Sequence, residues 1–451
     1  MRHRQAARNL WPILGILTLC MAIYGLLFPS EVNLKGRPLH HAAKTGPNYD
    51  AGDFQDLHLD EQQCRAICPG LTAEIDLAVA QGPFQLGIND VSASLLGSIN
   101  NNELLIIQAP RPVDMPDSWK ERQRAALEQI NRAIVTSPTR LPDTFFNLYI
   151  QDTPVSNSWS YSRPVASSFP RHIFPMPHFA FWAWNQPFIR SIPRAAAAIQ
   201  QIETTLPFDK KSARAVWRGT AWFNNGASSN PRSRQELLRV TKDASWADVQ
   251  ALEWINNGED ATNAINIADF CRYKYIIHTE GVSYSGRLHF HQMCESVLIS
   301  PPMEWVQHTT HLARPVYSSV LLDSDAISKE GMAGGAKQPS EKHSRRAEDV
   351  WSTATRPEDA NMIFVTPDWS DLEATVQWLE NHPDVARGIA KRQRDLFVRH
   401  GYLGPAAEVC YWRALIKGWS QVVHVNETIS NANATSWEEF SVRSEVAAKR
   451  P

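Results

Sequence analysis

The sequence lacks an excess of charge of either sign, because 45 Lys and Arg residues stand against 47 Asp and Glu residues, a formal net charge of −2 over 451 residues. Without a basic surplus there is no electrostatic case for a nucleic-acid partner. The chain also lacks a Walker loop, a Gly-x-Gly-x-x-Gly fingerprint, an internal repeat and a second ligand pair at zinc spacing besides Cys64-x-x-x-Cys68, so none of these signatures assigns a function. What remains is the composition of a folded protein, 43% hydrophobic, and enough length for two domains.

One long apolar run stands at the N-terminus. Residues 10–28 carry no charge, approach the length that spans a bilayer, and follow Arg2, Arg4 and Arg8. The run ends without a small-x-small cleavage site, which favours an uncleaved signal anchor over a cleaved signal peptide. The preceding positive charges predict a single-pass type II membrane protein of the Golgi or endoplasmic reticulum, with the rest of the chain lumenal. The chain ends without a Lys-Asp-Glu-Leu type of retrieval signal, which favours the Golgi.

Cysteine is scarce, and its use fits this compartment. Five cysteines lie outside the apolar run: Cys64, Cys68, Cys271, Cys294 and Cys410. Disulfides are expected in an oxidising lumen, and an odd number leaves one thiol unpaired. Glycosylation sequons at Asn426 and Asn433 give weak support for the same address.

The pattern along the chain predicts a short N-terminal tail and anchor (1–29), a polar stem (30–55) and then alternating strands and helices. Strands are predicted within 91–107 and at 145–150, 213–217, 273–278, 297–300 and 363–365. Helices are predicted at 117–136, 195–205, from 234 to 240, and at 287–295, 371–379, 384–397 and 408–423. This alternation indicates an α/β fold with parallel sheets. Residues 318–361, polar and rich in Ser, Lys and Glu, are predicted to be a disordered insertion.

Candidate site residues follow three of the predicted strands, where ligands bind in such sheets. Asp152 follows one strand, and Arg218-Gly219-Thr220 follows another. The loop Gly281-Val282-Ser283-Tyr284-Ser285-Gly286 leads into a predicted helix, so that its backbone N–H groups and the forked donor Arg287 could bind a phosphate. From spacing alone, the alternatives are a strand-to-helix turn with a surface arginine, and a turn aspartate before Pro154.

Together the motifs resemble glycosyltransferase family 90. The resemblance is carried by Trp217-Arg218-Gly219, Cys271-x-Tyr-Lys-Tyr275, Gly281-x-x-x-Ser-x-Arg-Leu288, Ser296-Val-Leu298, Asp152-Thr-Pro154 and Cys410-Tyr-Trp-Arg413. The family includes fungal capsule-associated and xylosyltransferase-like proteins and the animal O-glucosyltransferases with a Rumi-type domain. The resemblance covers roughly residues 58–423.

The resemblance implies a GT-B-like fold, in which two Rossmann-like domains face each other across the active site. The N-terminal acceptor-side domain would span 56–195, and the C-terminal nucleotide-sugar domain 196–400. A C-terminal helix within 401–425 would pack back on the first domain, before a tail at 426–451. The family's reaction is inverting, with a UDP-sugar as donor and no metal or cofactor.

The resemblance also implies roles for single residues. Asp152 matches the general base, Arg234 matches an arginine on the diphosphate, and Thr220 stands where a small residue contacts the nucleotide. Ser285 and Arg287 match the segment that holds the uridine diphosphate, with Arg218 in support. Gly286 departs from the bulkier residue of some relatives, which leaves the donor sugar open. Cys271 and Cys294 match a disulfide, and Cys410 would pair with either Cys64 or Cys68.

The sequence therefore predicts an inverting, metal-independent glycosyltransferase that moves a sugar, xylose or glucose being favoured, from a UDP-sugar to a hydroxyl of a glycan or protein in the secretory pathway. The alternative is a non-catalytic, membrane-anchored glycan-binding or scaffold protein on the same fold. Asp152 together with Arg287 favours the enzyme, because a binding module needs no general base.

Overall fold

The predicted membrane anchor and most of the predicted stem lie outside the residues that the structure describes. The computed structural model describes residues 53–87, 94–110, 115–165, 172–258, 260–323 and 351–448. Within these ranges, no helix has both the length and the hydrophobicity needed to cross a bilayer. The anchor at residues 10–28 stays a prediction.

Helices and strands alternate along the described chain, so the predicted α/β class is confirmed. The helices are α1 Glu61–Ile67, α2 Ala73–Val79, α3 Asp117–Val135, α4 Ile192–Thr205, α5 Ser233–Val240, α6 Leu288–His291, α7 Leu372–Asn381, α8 Pro383–Arg394, α9 Pro405–Ser420, α10 Glu427–Ser430 and α11 Trp437–Ala448. The strands are β1 Phe84–Leu86, β2 Leu95–Asn100, β3 Glu103–Gln108, β4 Thr144–Leu148, β5 Ser158–Ser160, β6 Arg163–Pro164, β7 Ile173–Pro175, β8 Ser212–Gly219, β9 Ala247–Ala251, β10 Trp254–Ile255, β11 Asp260–Ala261, β12 Tyr273–Ile277, β13 Val297–Ser300, β14 Trp305–Val306, β15 Pro315–Tyr317, β16 Met362–Phe364, β17 Val423–Val425 and β18 Thr435–Ser436.

The C-terminal half of the chain forms a six-stranded parallel sheet of order β15-β16-β13-β12-β8-β9. Trp217 and Tyr275 pack in one cluster with apolar residues of α5, α7 and α8. Their neighbours Val216 and Ile276 lie in the other main cluster. Both faces of this sheet are covered, and its central strands each contain a short apolar run (215–217, 275–277 and 297–299), which was enough to locate them in the sequence.

The N-terminal half forms a mixed sheet of order β18-β3-β2-β4-β5-β7. Strands β2 and β3 form a hairpin whose turn residues Asn101 and Asn102 have φ angles of 51° and 63°, as a type I′ turn requires. Only β4, β5 and β7 run parallel. The expectation of parallel sheets throughout is therefore wrong at the β2–β3 edge, because a two-residue turn joins antiparallel strands. The assignment of two facing GT-B domains stays a prediction.

Helix α9 is fixed to the N-terminal helices by a disulfide and by buried hydrogen bonds. Cys410 of α9 pairs with Cys64 of α1, which settles the alternative that the sequence left open. Among the described cysteines, Cys68 is the free one; it is buried, and burial raises the pKa of its thiol to about 12. The indole of Trp412 in α9 donates to the side-chain oxygen of Gln129 in α3 at 3.1 Å.

Two segments expected to lie outside the fold are part of it. Residues 318–323 are helical, and Trp351 and Ala360 are buried at 2% and 0% exposure, so the predicted disordered insertion was drawn too wide at both ends. An apolar anchor such as Trp351 inside a polar segment was the missed signal. The middle of that segment, 324–350, lies outside the described residues. The predicted tail at 426–451 supplies β18, which pairs with β3 at the edge of the N-terminal sheet.

Candidate active site

The carboxyl ends of β8 and β12 lie side by side, since Val216 pairs with Ile276 in the parallel register. Thr220 directly follows β8, and the loop 281–286 follows β12. At Gly219 a side chain would be impossible without rearrangement, because a Cβ atom would lie 2.4 Å from the Trp217 ring. The hydroxyl of Thr220 accepts a hydrogen bond from the Trp254 indole at 3.0 Å. The structure therefore brings two of the predicted donor segments to one edge of the sheet.

Arg234, in the first turn of α5, bridges these two segments. Its Nε donates to the carbonyl of Glu280 at 3.0 Å, and its Nη1 donates to the carbonyl of Thr220 at 2.8 Å. The side chain is buried, with 5% exposure for the residue. Burial, and secondly the charge of Arg287, lowers the pKa of Arg234 to about 9. A cation in this setting is stabilised by a bound anion, which would raise that pKa again.

Arg287 reaches the same strand ends from the far end of the loop. Its Nη1 donates to the carbonyl of Arg218, the last residue but one of β8. Burial lowers the pKa of Arg287 to about 10. Neither Arg234 nor Arg287 forms an ion pair with a carboxylate of the described residues, and both keep N–H groups that no described acceptor uses. The structure thus places two partly satisfied guanidinium groups at the predicted diphosphate position.

Arg218 is arranged differently from these two arginines. Its guanidinium forms an ion pair with Asp248 of β9 at 2.8 Å and also donates to the carbonyl of Asn263 at 3.1 Å. Tyr273 donates to the second oxygen of Asp248 at 2.7 Å. The side chain of Arg218 is therefore engaged within the sheet, and it is the carbonyl group of this residue that contacts Arg287.

Asp152 lies against the loop 281–286. Its backbone carbonyl accepts a hydrogen bond from the hydroxyl of Ser283 at 2.6 Å. Its carboxylate accepts one from Arg122 of α3 at 2.9 Å, and its side chain is 49% exposed. The candidate base, on the N-terminal half of the chain, is thus next to the candidate donor loop on the C-terminal half.

The loop 281–286 is closed on itself by a backbone hydrogen bond, and its Tyr284 lies against Tyr161 of the N-terminal half. The N–H of Gly281 donates to the carbonyl of Ser283 at 2.8 Å, while Val282 is exposed. Ser285 is 8% exposed, and its carbonyl accepts a hydrogen bond from Gln307. Burial, and then the nearby Asp152, raises the pKa of Tyr284 well above its usual range.

Gly286 is explained by His178, which sequence reasoning did not connect with it. A Cβ atom at position 286 would lie 2.4 Å from Nε2 of the His178 ring, so the bulkier residue expected in some relatives does not fit here. His178 is 2% exposed, and its Nδ1 accepts the N–H of Ala180. Burial lowers the pKa of His178 well below its usual range, so the ring is neutral at physiological pH.

The helix after the loop is shorter than predicted. The sequence predicts a helix at 287–295, but α6 is a single turn from Leu288 to His291, followed by turns and the disulfide between Cys271 and Cys294. That predicted disulfide is confirmed. A single turn carries little of a helix dipole, so the positive charge at this edge comes mainly from the arginines.

Sequence reasoning also missed Arg122 and Glu280. Glu280 follows β12 and accepts the N–H groups of Glu304 and Trp305, each at 2.9 Å. Burial raises the pKa of Glu280 to about 8. No motif marks either residue, because the partners of each lie far away in the sequence. The one sequence signal for Arg122 is its position in the first turns of a predicted amphipathic helix.

Cavity size does not locate this site. A cavity of about 40 Å³ lies beside Gly281, and its walls include Asn224, Asn230, Glu280 and Glu304. A much larger one, about 740 Å³, lies elsewhere, between α1, α2 and α9. The Cys64–Cys410 disulfide lines that larger cavity, which contains none of the predicted site residues.

An α/β fold with cationic side chains at the carboxyl ends of parallel strands is typical of proteins that bind phosphorylated ligands. Comparison with known proteins identifies the domain more closely. Residues 117–324 match the model of Glycosyl transferase family 90, and the resemblance seen in the motifs is confirmed. Asp152, Arg234 and Arg287 all lie within the matched residues.

Individual relatives agree with this family. The chain is 21% identical to Protein O-glucosyltransferase 1 of Rattus norvegicus over 308 residues, which cover 64% of this chain and 65% of the relative. It is 21% identical to the Homo sapiens protein of the same name over 302 residues, with the same coverage. It is 23% identical to the O-glucosyltransferase rumi homolog of Aedes aegypti over 304 residues, covering 63% of this chain and 62% of the relative. The chain thus spans about 65% of the length of the curated relatives it matches.

Proposed function

We propose that this protein is an inverting, metal-independent glycosyltransferase that moves a sugar from a UDP-sugar to a hydroxyl group of a protein or glycan. One observation carries the proposal: the backbone carbonyl of Asp152 is hydrogen-bonded to Ser283 in the loop that leads to Arg287, and Arg234 lies at the same strand ends with no carboxylate partner among the described residues. A base and a cationic anion site next to each other are what an inverting transfer from a sugar diphosphate requires.

The proposed reaction is one in-line displacement at the anomeric carbon. The acceptor oxygen forms a bond to that carbon as the bond to the diphosphate oxygen breaks, and UDP leaves with the bonding electrons. Asp152 accepts the proton of the acceptor hydroxyl. Arg234 and Arg287 stabilise the negative charge that develops on the diphosphate, through charge-assisted hydrogen bonds from N–H groups that are otherwise unused.

Metal independence is part of the proposal because the arginines can supply the positive charge that a divalent cation would supply. Transfer activity is expected to survive EDTA. Loss of activity in EDTA with recovery on adding Mn²⁺ would contradict this part of the proposal and leave the donor site to be reassigned.

The donor sugar is proposed to be glucose or xylose, and the acceptor a protein or glycan hydroxyl. The names of the relatives, protein O-glucosyltransferases, support glucose and a protein acceptor. The motifs shared with fungal xylosyltransferase-like members support xylose. A thermal-shift screen with UDP-xylose, UDP-glucose, UDP-galactose and GDP-mannose distinguishes them, because a donor at 100 times its Kd stabilises the protein by about 2.7 kcal/mol.

We further propose that the two halves are the two domains of a GT-B enzyme acting in the secretory pathway, anchored through residues 10–28. The disulfides Cys64–Cys410 and Cys271–Cys294 support an oxidising compartment. Fractionation of cells that express the full chain, combined with a protease-protection assay, tests this location.

The decisive test is Asp152→Asn. Removal of a general base is expected to lower the transfer rate by about 10²–10⁴-fold while UDP binding is unchanged. Asp143→Asn is the matched control, since Asp143 is also 49% exposed and also paired with an arginine, Arg140. Wild-type turnover in Asp152→Asn would remove this residue from the mechanism. UDP binding by a wild type that transfers to no acceptor would favour the scaffold alternative.

A further inference from the structure

We propose that Arg122 is a positioning residue for the candidate base: it fixes one carboxylate oxygen of Asp152 and leaves the other for the acceptor hydroxyl. The inference rests on the function proposed above. It assigns a role to a residue of α3 that lies outside the motifs of the strand ends.

The carboxylate of Asp152 needs such a partner. Asp152 lies in a bend four residues after the end of β4, and its side chain is 49% exposed, so that its torsions would otherwise be free. Arg122 Nη1 lies 2.9 Å from Oδ1, whereas Oδ2 has no hydrogen bond within the described residues. One fixed and one open oxygen is the arrangement that in-line proton transfer to a carboxylate needs.

Arg122 is itself held firmly. It belongs to the 19-residue helix α3, and its side chain is 21% exposed. Its guanidinium lies over the ring of Phe179 at 5.0 Å, and Phe179 is 3% exposed. The carbonyl of Arg122 accepts the hydroxyl of Tyr161 at 3.5 Å. A donor with this support restricts the carboxylate far more than a flexible surface lysine would.

The donor loop adds a second restraint on the same residue. Ser283 donates its hydroxyl to the backbone carbonyl of Asp152 at 2.6 Å, and Ser283 is 1% exposed. The backbone of Asp152 is therefore fixed from the donor side and its side chain from the α3 side. The base is positioned relative to the diphosphate site only when both contacts are present.

The titratable groups around Asp152 come from four elements. They are Arg122 of α3, Tyr149 after β4, Tyr161 after β5 and Tyr284 of the loop 281–286. Burial acts to lower the pKa of Arg122, but the neighbouring Tyr284, Asp152 and Tyr161 outweigh it and raise that pKa. Arg122 is therefore the permanent cation of the group.

The test compares Arg122→Gln and Arg122→Lys in the purified protein. Arg122→Gln is expected to lower kcat about 10- to 100-fold, as a base displaced by about 1 Å would. Its UDP affinity and its KM for the UDP-sugar are expected to be unchanged, so that the loss is confined to kcat. Arg122→Lys restores part of kcat, because a cationic hydrogen-bond donor is kept. Arg140→Ala, which breaks the exposed Arg140–Asp143 pair, is the control and is expected to behave as the wild type.

The outcomes separate this inference from the proposed function. A purely structural role predicts lower thermal stability in Arg122→Gln, weaker UDP binding and no recovery of kcat in Arg122→Lys, and that result overturns the inference. So does a folded Arg122→Gln protein with wild-type kcat. Failure of the proposed function has another signature, namely wild-type turnover in Asp152→Asn. If Arg122→Gln does not fold, Arg122→Met decides, because methionine keeps an apolar side chain of similar length and removes the hydrogen bond: a folded Arg122→Met protein with wild-type kcat overturns the positioning role.

Discussion

Burial lowers the pKa of both Arg287 and Arg413 to about 10, yet the hydrogen-bond partners of the two side chains differ. Arg413, in α9, uses all three guanidinium nitrogens. Its acceptors are the carbonyls of Ala133, Leu59 and Leu57 and the hydroxyl of Thr136, at 2.6–2.9 Å. Arg287 has one described acceptor, the carbonyl of Arg218. A buried cation with spare donors needs a ligand, whereas one with full coordination needs none.

The same contrast extends to the regions around the two arginines. The interface of α9 with α1 and α3 contains the Cys64–Cys410 disulfide, the Trp412–Gln129 hydrogen bond and the Arg132–Glu408 ion pair. The strand ends of β8 and β12 contain Arg234 and Arg287, which form no ion pair within the described residues, and the exposed Val282. The first region has an ion pair and a disulfide between its helices and acts as scaffold, with the cavity of about 740 Å³ beside it. The second is incomplete in the way expected of a binding site.

The two disulfides give the largest expected difference between the regions. They close sequence separations of 346 residues for Cys64–Cys410 and 23 residues for Cys271–Cys294. The chain-entropy relation gives about 6 and about 3 kcal/mol of stabilisation, respectively. Cys410→Ser is therefore expected to lower the free energy of unfolding more than Cys294→Ser, measured by urea denaturation. Cys68→Ser, at the buried free thiol, is the control with the smaller loss. Equal losses for the two disulfide variants would remove the special role of the α1–α9 link.

Replacing Arg287 and Arg413 in turn by alanine is expected to separate an effect on activity from an effect on stability. Arg287→Ala should lower transfer about 10²–10³-fold, or about 3–4 kcal/mol, with little change in the free energy of unfolding. Arg413→Ala should lower the free energy of unfolding by about 3 kcal/mol, because several buried acceptors lose their donor. Steady-state kinetics and urea denaturation of both variants decide the matter. A strongly destabilised Arg287→Ala protein would mean that this arginine, too, is mainly structural.

The sequence predicted the C-terminal half better than the N-terminal half. Short apolar runs such as 275–277 and 297–299 are expected where both faces of a parallel sheet are covered, and β12 and β13 appear where they were expected. In the N-terminal half, the turn at Asn101 was located, but its left-handed conformation, and with it the antiparallel pairing, is not a matter of periodicity.

The residues of the candidate site also fall into two groups, those that the sequence predicted and those that it did not. Asp152 and Arg287 could be named because each belongs to a motif of contiguous residues that follows a strand, and Arg234 because it matches an arginine of the family. Arg122 and His178 could not, because their partners, Asp152 and Gly286, are 30 and 108 positions away and only the folded chain brings them together. The engagement of Arg218 with Asp248 was missed for the same reason. Motifs predict which groups are present, and tertiary contacts decide which of them remain available.

Glu408 gives the smallest of these effects and tests whether the scaffold region is sensitive to pH. Burial raises the pKa of Glu408 from 4.5 to about 7, against the lowering effect of Arg132. Because the folded pKa is above the unfolded one, the folded state binds a proton more tightly, so stability is fullest below pH 4.5 and falls as pH rises towards about 7. The total change is at most about 3 kcal/mol, at 1.36 kcal/mol per unit of pKa difference. Glu408→Gln is expected to flatten the dependence of the unfolding free energy on pH in this window, whereas Glu103→Gln, at an exposed position of β3, leaves the slope as it is. A wild-type slope in Glu408→Gln would show that the Arg132–Glu408 pair stays ionised throughout, and that the scaffold region tolerates a buried ion pair as fully as it tolerates Arg413.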